Sequence, residues 1–256
     1  MIQGVQDGVA YHEIRPESDA KEFIHCYWQL KTPSPLDEPF TYRVASDGCI
    51  DILWEQQKGD QLYITGFSKK FVEFELGQSF DYLGIRFVPA GFPTLFDIPA
   101  STLTQQFLPL QEVESNLNDV LIREVRAPLS LSRAAERMDL IFQNWIDQKE
   151  MHPQADGRFL NAMGQILKAQ GNLNVTELDV GLSERQLRRL FAFYFGESAK
   201  TFAKVVRFQT LLGTYPTSKS LKDDKIFYDL GYFDQAHFIK EFKAFYGITP
   251  NRAFRR

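Results

Sequence analysis

The chain has 256 residues, of which 44% are hydrophobic and 24% are charged, and its formal net charge is −4. This length and composition are typical of a globular protein with two domains, and no apolar run is long enough to cross a membrane. The first residues lack the features of a secretory signal, and the cysteines are too few for a disulfide framework. We therefore expect a cytoplasmic protein that does not associate with a membrane.

The charge is distributed unevenly along the chain. Residues 183–256 contain 14 Lys and Arg against 7 Asp and Glu, a balance of +7, whereas the rest of the chain carries −11. A basic C-terminal part in an otherwise acidic chain indicates a module that binds a polyanion, attached to a domain that does not. A basic excess of this size also arises by chance, so charge alone does not decide the function.

An alternation of apolar and polar residues predicts an all-β N-terminal part. Residues 1–16 look irregular, and Ser18 or Asp19 is expected to cap a short helix that runs through Cys26. Turns rich in Gly, Pro, Asp and Ser separate the apolar runs that follow, which is typical of a small sandwich or barrel of short antiparallel strands. The predicted strands are 27–31, 41–44, 50–54, 62–65, 71–76 and 82–88.

Helical periodicity replaces this alternation after Pro93. Helices are predicted at 116–125 and 130–148, and the polar segment 149–157 is predicted to link two domains. Apolar residues of the second helix recur with a/d spacing, which fits either packing within the chain or a dimer seam, and we favour packing within the chain. These residues are Leu131, Ala135, Met138, Phe142 and Trp145.

The last hundred residues or so are predicted to be entirely helical. The helices are expected at 159–169, 175–180, 184–194, 199–212, 222–230 and 235–246, with a terminal turn after Pro250. The whole chain is therefore predicted to be an α+β multidomain protein. It comprises a small all-β regulatory domain at 1–115, a helical linker and possible dimerisation region at 116–157, and an all-α double helix-turn-helix domain at 158–256.

Two similar units occur within the predicted C-terminal domain. In the first, Ser183 opens a helix that ends before Gly196, and in the second, Asp234 opens a helix that ends before Gly247. Both opening residues are good N-caps, because a side-chain oxygen can accept a hydrogen bond from the first turn. Two such units in one chain can place two recognition helices in successive segments of the DNA major groove.

These motifs resemble those of the AraC/XylS-type transcriptional regulators over about residues 159–254. The strongest match is the stretch GYFDQAHFIKEFK at 231–243, followed by GITP at 247–250, and the first unit matches through LSERQLRRLF at 182–191. The chain departs from the family pattern in two places. The helix before Gly181 looks about two residues short, and Phe227 stands where the family usually has a small residue.

The resemblance implies contacts with double-stranded DNA. Arginines of the first recognition helix can bind guanine O6 and N7, and we expect this helix to supply most guanine contacts. Gln235 and Ala236 lie at the start of the second recognition helix, where base contacts are easiest. Lysines are expected to bind phosphates, and His237 is expected to be structural. The candidate DNA-binding residues are Ser183, Arg185, Gln186, Arg188, Arg189, Gln235, Ala236, Ile239, Lys240, Lys243 and Arg252.

The N-terminal part resembles the all-β sensor domain that precedes this module in some members of the family. Aromatic and charged residues could line an apolar pocket there, with Arg86 as the best candidate for contact with an anionic ligand. A plain β core with surface charges explains the same residues equally simply. The candidate ligand-binding residues are Trp28, Arg43, Asp51, Trp54, Tyr63 and Arg86.

No catalytic site, metal site or cofactor is predicted. The four histidines are scattered, and the sequence contains no nucleophile-elbow, Walker or dinucleotide-binding glycine pattern. The function predicted is therefore sequence-specific regulation of transcription at a DNA operator, controlled by a small-molecule effector or by formation of a homodimer. RNA polymerase is a further expected partner if the protein is an activator. A constitutive or architectural DNA-binding protein is the alternative.

Overall fold

The structure is a computed structural model, and it describes residues 8–58, 61–125, 128–149, 151–214, 216–217, 220–221 and 225–254. No helix in these ranges is long and apolar enough to cross a membrane. Strands dominate the first third of the chain and helices dominate the rest, which confirms the predicted α+β architecture.

Eight strands make up the N-terminal part within the described residues. They are β1 (Ala10–Ile14), β2 (Ile24–Lys31), β3 (Phe40–Val44), β4 (Ile50–Glu55), β5 (Tyr63–Thr65), β6 (Val72–Gly77), β7 (Asp81–Phe87) and β8 (Phe107–Pro109). Six of them form an antiparallel sheet in the order β1-β2-β7-β4-β5-β8, and β3 pairs with β6. Apolar residues of β2 share a core with both strands of the small sheet, so the two sheets pack face to face.

The six predicted strands are all present, with bounds close to those expected from the alternation of apolar and polar residues. Strands β1 and β8 were not predicted. Strand β1 is an edge strand without a buried residue, and it therefore lacks the alternation that marks a half-buried strand. Strand β8 is too short to show a period at all.

The predicted helix that runs to Cys26 is wrong beyond its first turn. Ser18 is the N-cap and accepts a hydrogen bond from the backbone N–H of Ala20 at 3.2 Å, but the helix is a single 3-10 turn, Asp19–Glu22. The next residues join β2 and pair with β7, so that Cys26 lies opposite Arg86. Aromatic and β-branched residues between 24 and 28 favour this extended conformation.

Four helices, of which the first precedes β8, cover the outer face of the six-stranded sheet. They are α1 (Gly91–Phe96), α2 (Leu110–Val113), α3 (Ser115–Val125) and α4 (Leu131–Asp147). The a/d residues of α4 are buried in the same core as the sheet, and the Phe142 ring lies 5.7 Å from that of Phe87. This confirms packing within the chain, and the seam is not free to form a dimer.

Five helices of the C-terminal part are described. They are α5 (Gly157–Lys168), α6 (Glu184–Tyr194), α7 (Ala199–Gly213), α8 (Gln235–Tyr246) and α9 (Pro250–Ala253). The bounds of α6 and α8 are the predicted ones. The helix predicted at 175–180 is only a 3-10 turn, Val175–Glu177. This agrees with the sequence, in which the helix before Gly181 looks about two residues short.

The helix predicted at 222–230 falls partly on residues 222–224, which lie outside the described residues. Residues 226–230 form turns, so the helix prediction is wrong there. Lys225 has a φ of 50°, a left-handed conformation that a right-handed helix cannot contain. Phe227 is buried beside Phe238 with stacked rings 5.0 Å apart, so the bulky residue is accommodated in the core.

Candidate DNA interface and ligand cavity

Helix α6 begins with a complete capping box. The hydroxyl of Ser183 accepts a hydrogen bond from the backbone N–H of Gln186 at 3.3 Å, and the Gln186 side chain accepts one from the N–H of Ser183 at 3.0 Å. Such a cap stabilises a helix by about 1 kcal/mol. Both side chains, which are also candidate DNA-binding residues, are therefore used to hold the start of the helix.

The arginines of α6 lie on the solvent side of the helix. Arg185, Arg188 and Arg189 are spaced three and four residues apart, which places them on one face. All three are exposed, and none takes part in an ion pair with another described residue. Phe191 is buried on the opposite side. The helix thus presents three guanidinium groups to the solvent.

Helix α8 is capped by Asp234, whose carboxylate accepts a hydrogen bond from the backbone N–H of His237 at 2.6 Å. Phe238 and Phe242 anchor the helix in the C-terminal core. Ile239 is half-buried and packs against that core, so it is less accessible than the other candidates. The exposed candidates of the second unit are Gln235, Ala236, Lys240, Lys243 and, in α9, Arg252.

A buried charge cluster joins α8 to the connecting helix α7. Glu241 accepts a hydrogen bond from Arg207 at 3.0 Å, and the Arg207 guanidinium lies 4.4 Å from the ring centroid of Tyr232. His237 and Lys204 also face Glu241, at 3.7 and 3.5 Å. Placing a carboxylate on the buried side of α8 is tolerated because Arg207 and Lys204 compensate its charge. The sequence alone does not reveal this cluster, since only the fold brings α7 against α8.

A cavity of about 110 Å³ lies between the two sheets of the N-terminal part. Of the six candidate ligand-binding residues, Trp28, Asp51 and Arg86 line it. The indole of Trp28 lies directly over Gly84, where a Cβ atom would overlap the ring. The other three candidates lie elsewhere: Trp54 is buried under the helices, Tyr63 stacks on Phe107, and Arg43 pairs with Glu73.

The charged residues of the cavity are bonded to one another. Asp51 accepts hydrogen bonds from Trp28 Nε1 at 2.8 Å and from Arg86 Nε at 3.0 Å, and Asp47 lies 3.5 Å from Arg86. Burial raises the pKa of Asp51 against the opposing effect of Arg86. Burial also disfavours the charge of Arg86, but the two carboxylates outweigh it and hold the pKa of Arg86 well above its usual value.

The rim of the cavity is bonded to the helix-turn-helix part. Ser46, which lines the cavity, donates its backbone N–H to the carbonyl of Phe245 in α8 at 3.1 Å. Its own carbonyl accepts a hydrogen bond from Gln209 of α7 at 2.7 Å. Nearby, the N–H of Phe71 binds the carbonyl of Ala244 at 3.0 Å. A single backbone segment therefore contacts both the cavity and the second DNA-binding unit.

The first unit is held to the N-terminal part at a different place. The Thr104 hydroxyl donates to the carbonyl of Gly196, just after α6, at 3.0 Å, and Lys69 forms an ion pair with Glu197. Phe67 packs on Phe195, with ring centroids 4.7 Å apart. None of these contacts was visible in the sequence, because the residues on each side of them carry no local motif.

Three potential metal ligands lie together where β1 pairs with β2. The ligating atoms of Glu13, His25 and Cys26 are within 4.8 Å of one another. Burial, together with the Glu13 carboxylate, raises the pKa of Cys26 to about 12.

Two family models match the chain. Residues 12–109 match a domain family of unknown function (DUF6597), and residues 179–256 match a family described as a helix-turn-helix domain. The second match spans both recognition helices, α6 and α8. The C-terminal domain is an AraC-type helix-turn-helix domain. This AraC-type domain makes the chain a DNA-binding transcription regulator, as the sequence motifs predicted.

Two solved structures of ToxT from Vibrio cholerae match the chain weakly. The apo form of a ToxT variant shares 14% sequence identity with this chain. The match covers 88% of this chain and 96% of the ToxT chain, and its TM-score is 0.44. A second ToxT structure shares 9% identity, with 96% and 97% covered and a TM-score of 0.40. None of the curated proteins matches the chain. The match to the AraC-type domain is therefore the finding that bears on function.

Proposed function

We propose that the chain regulates transcription by binding a specific operator through α6 and α8, and that a small molecule in the N-terminal cavity controls this binding. The observation that carries the proposal is the position of Ser46. This residue lines the cavity and is hydrogen-bonded to α7 through Gln209 and to α8 through Phe245. A molecule that displaces the rim would therefore move the second DNA-binding unit.

The exposed side chains of the two units suggest which contacts each unit makes with DNA. Arg185, Arg188 and Arg189 are proposed to read guanines from α6, since free guanidinium groups can bind O6 and N7 together. Gln235 and Ala236 are proposed to contact bases at the start of α8. The basic residues further along this unit are proposed to bind phosphates, which positions the protein without reading sequence. They are Lys240, Lys243 and Arg252.

The proposed partners of the chain are the operator and the effector, with RNA polymerase as a further partner if the protein activates transcription. A homodimer would need a face other than the a/d side of α4, because Met138 and Phe142 are buried in the core. A constitutive or architectural DNA-binding protein is the alternative. Such a protein has no need of a cavity whose rim is bonded to the DNA-binding domain.

Selection of binding sites from random duplex DNA, followed by footprinting of the full chain on the enriched site, tests the DNA-binding proposal. We expect one enriched sequence, protected in two major-groove segments about 10 base pairs apart, because two recognition helices on one side of the duplex are spaced by one turn. Protection of a single segment would contradict a role for both helices. Binding without any enriched sequence would favour the architectural alternative.

A further inference from the structure

The walls of the cavity between the sheets are mostly apolar, and its size limits what can enter. Its volume of about 110 Å³ is enclosed by side chains such as Leu30, Leu53, Val72 and Phe74. An apolar cavity of about 150 Å³ is known to bind benzene, so this volume is on the scale of a single ring.

The charged groups of the cavity leave no positive charge for an anion. Arg86 is bonded to Asp51 and also faces Asp47, so two carboxylates surround one guanidinium group. Even when Asp51 is protonated, Asp47 matches the charge of Arg86. A ligand carboxylate would have to displace Asp47 or be buried beside it, and burying an unpaired charge is costly.

A ligand cation is disfavoured by the same arrangement. The carboxylate of Asp51 already accepts hydrogen bonds from Trp28 and Arg86, and Asp47 is both paired with Arg86 and partly exposed to water. An ammonium group in the cavity would lie close to the guanidinium of Arg86. In contrast, the hydroxyl of Tyr42, which also lines the cavity, makes no hydrogen bond to another described residue. It can pair with one polar atom of a neutral ligand.

We propose that the effector of this regulator is an uncharged, mainly apolar molecule of about the size of one aromatic ring. The proposal rests on the proposed function, which supplies the reason for a ligand in this cavity. It replaces the anionic ligand expected from Arg86 in the sequence, where the two carboxylate partners of this arginine were not visible.

Three probes of nearly equal size and different charge test this assignment: benzyl alcohol, benzoate and benzylamine. Binding to the full chain at pH 7 is measured by calorimetry and by tryptophan fluorescence, to which Trp28 in the cavity wall contributes beside two other tryptophans. We expect benzyl alcohol to bind about tenfold more tightly than either charged probe, the equivalent of about 1.4 kcal/mol. Tighter binding of benzoate or of benzylamine would overturn the assignment of an uncharged ligand.

A cavity-filling variant and its control show whether the probes occupy this cavity. Val72→Phe, which fills part of the cavity, should weaken benzyl alcohol binding about tenfold or more. The control is Val113→Phe, at a half-buried valine outside the cavity, and it should leave the affinity for benzyl alcohol unchanged.

A third variant tests the charge argument. Asp47→Asn removes one carboxylate from Arg86 but keeps an oxygen that accepts from the N–H of Cys49, so the affinities for benzyl alcohol and benzoate should become more nearly equal. An unchanged ratio of the two affinities would contradict the inference that Asp47 keeps Arg86 from binding an anionic ligand.

The outcomes also separate this inference from the proposed function. If benzyl alcohol binds with the expected preference but leaves operator affinity unchanged, the ligand class stands and control of DNA binding by the cavity is wrong. If no probe binds up to its solubility limit, the assigned ligand class is wrong, whereas operator binding, which site selection tests, is unaffected. Circular dichroism of each variant confirms that the chain is folded before any loss of binding is interpreted.

Discussion

At the level of single residues, recognition of an operator depends on which exposed side chains read bases and which bind phosphates. Arg188 lies in the middle of α6, exposed and without an ion-pair partner among the described residues, whereas Lys243 is exposed near the end of α8. The geometry of a guanidinium group allows two hydrogen bonds to guanine. An ammonium group on a flexible stem favours the phosphate backbone instead.

Arg188→Ala should therefore weaken binding to the selected operator by about 1–3 kcal/mol and have little effect on unrelated DNA. Lys243→Ala should weaken binding to both DNAs alike and lower the slope of log affinity against log salt by about one. Fluorescence anisotropy at several salt concentrations measures both effects. Equal losses on operator and unrelated DNA for Arg188→Ala would show that this arginine contacts only phosphates.

Residues that depend on a distant partner were the least predictable from the sequence. Glu241 looks like a surface residue of an amphipathic helix, and its burial follows only from Arg207, which is 34 positions away. In the same way, Arg86 looks like an unpaired cation on an apolar strand until β4 places Asp51 opposite it. The sequence identifies such residues as charged but not what neutralises them.

At the scale of elements, the prediction was most accurate where local signals mark both ends. Helices α6 and α8 begin at the capping residues Ser183 and Asp234, and a glycine in a left-handed conformation follows close after each, Gly196 and Gly247. Capping residues act through backbone hydrogen bonds to residues a few positions away, so they can be recognised from the sequence alone. Strand β1 has no such signals, because its pairing partner β2 decides its conformation.

The cap of α8 gives a prediction at this scale. Asp234→Ala should lower the free energy of unfolding by about 1 kcal/mol, because the N–H of His237 loses its acceptor. Asp234→Asn is the matched control, since asparagine is an equally good N-cap and should leave the stability nearly unchanged. Urea unfolding followed by circular dichroism measures the difference. Equal stability of the two variants would mean that this cap does not hold the helix.

At the scale of the whole molecule, the predicted domains at 1–115, 116–157 and 158–256 remain a prediction, to which the structure suggests a change. We propose that α3 and α4 belong to the N-terminal domain rather than to a linker. Leu117 and Phe142 are fully buried in the same core as the sheet residues Ile52 and Phe87. The connection between the domains would then be the short segment between α4 and α5.

The two DNA-binding units are held by separate parts of the N-terminal domain. The first is fixed through Thr104 and Gly196, and the second through the segment at Ser46. The candidate base-reading residues remain exposed in this arrangement, so docking does not cover them. We infer that these contacts with the N-terminal domain orient the two recognition helices before DNA binds. This lowers the entropic cost of ordering the helices on the operator.

The operator affinity of Gln209→Ala in the full chain tests whether the cavity rim orients the DNA-binding domain. The variant removes the hydrogen bond from Gln209 to the carbonyl of Ser46, which joins the cavity rim to α7. The matched control is Gln165→Ala, which removes a hydrogen bond between two segments of the C-terminal domain itself, from Gln165 to the carbonyl of Asp179. Both variants should remain folded by circular dichroism.

We expect Gln209→Ala to weaken operator binding about fivefold, because a hydrogen bond of about 1 kcal/mol no longer favours the docked arrangement. The control should bind like the unaltered chain. Anisotropy titrations with the selected operator measure both. An operator affinity of Gln209→Ala that equals or exceeds that of the unaltered chain would contradict the claim that the cavity rim orients the DNA-binding domain.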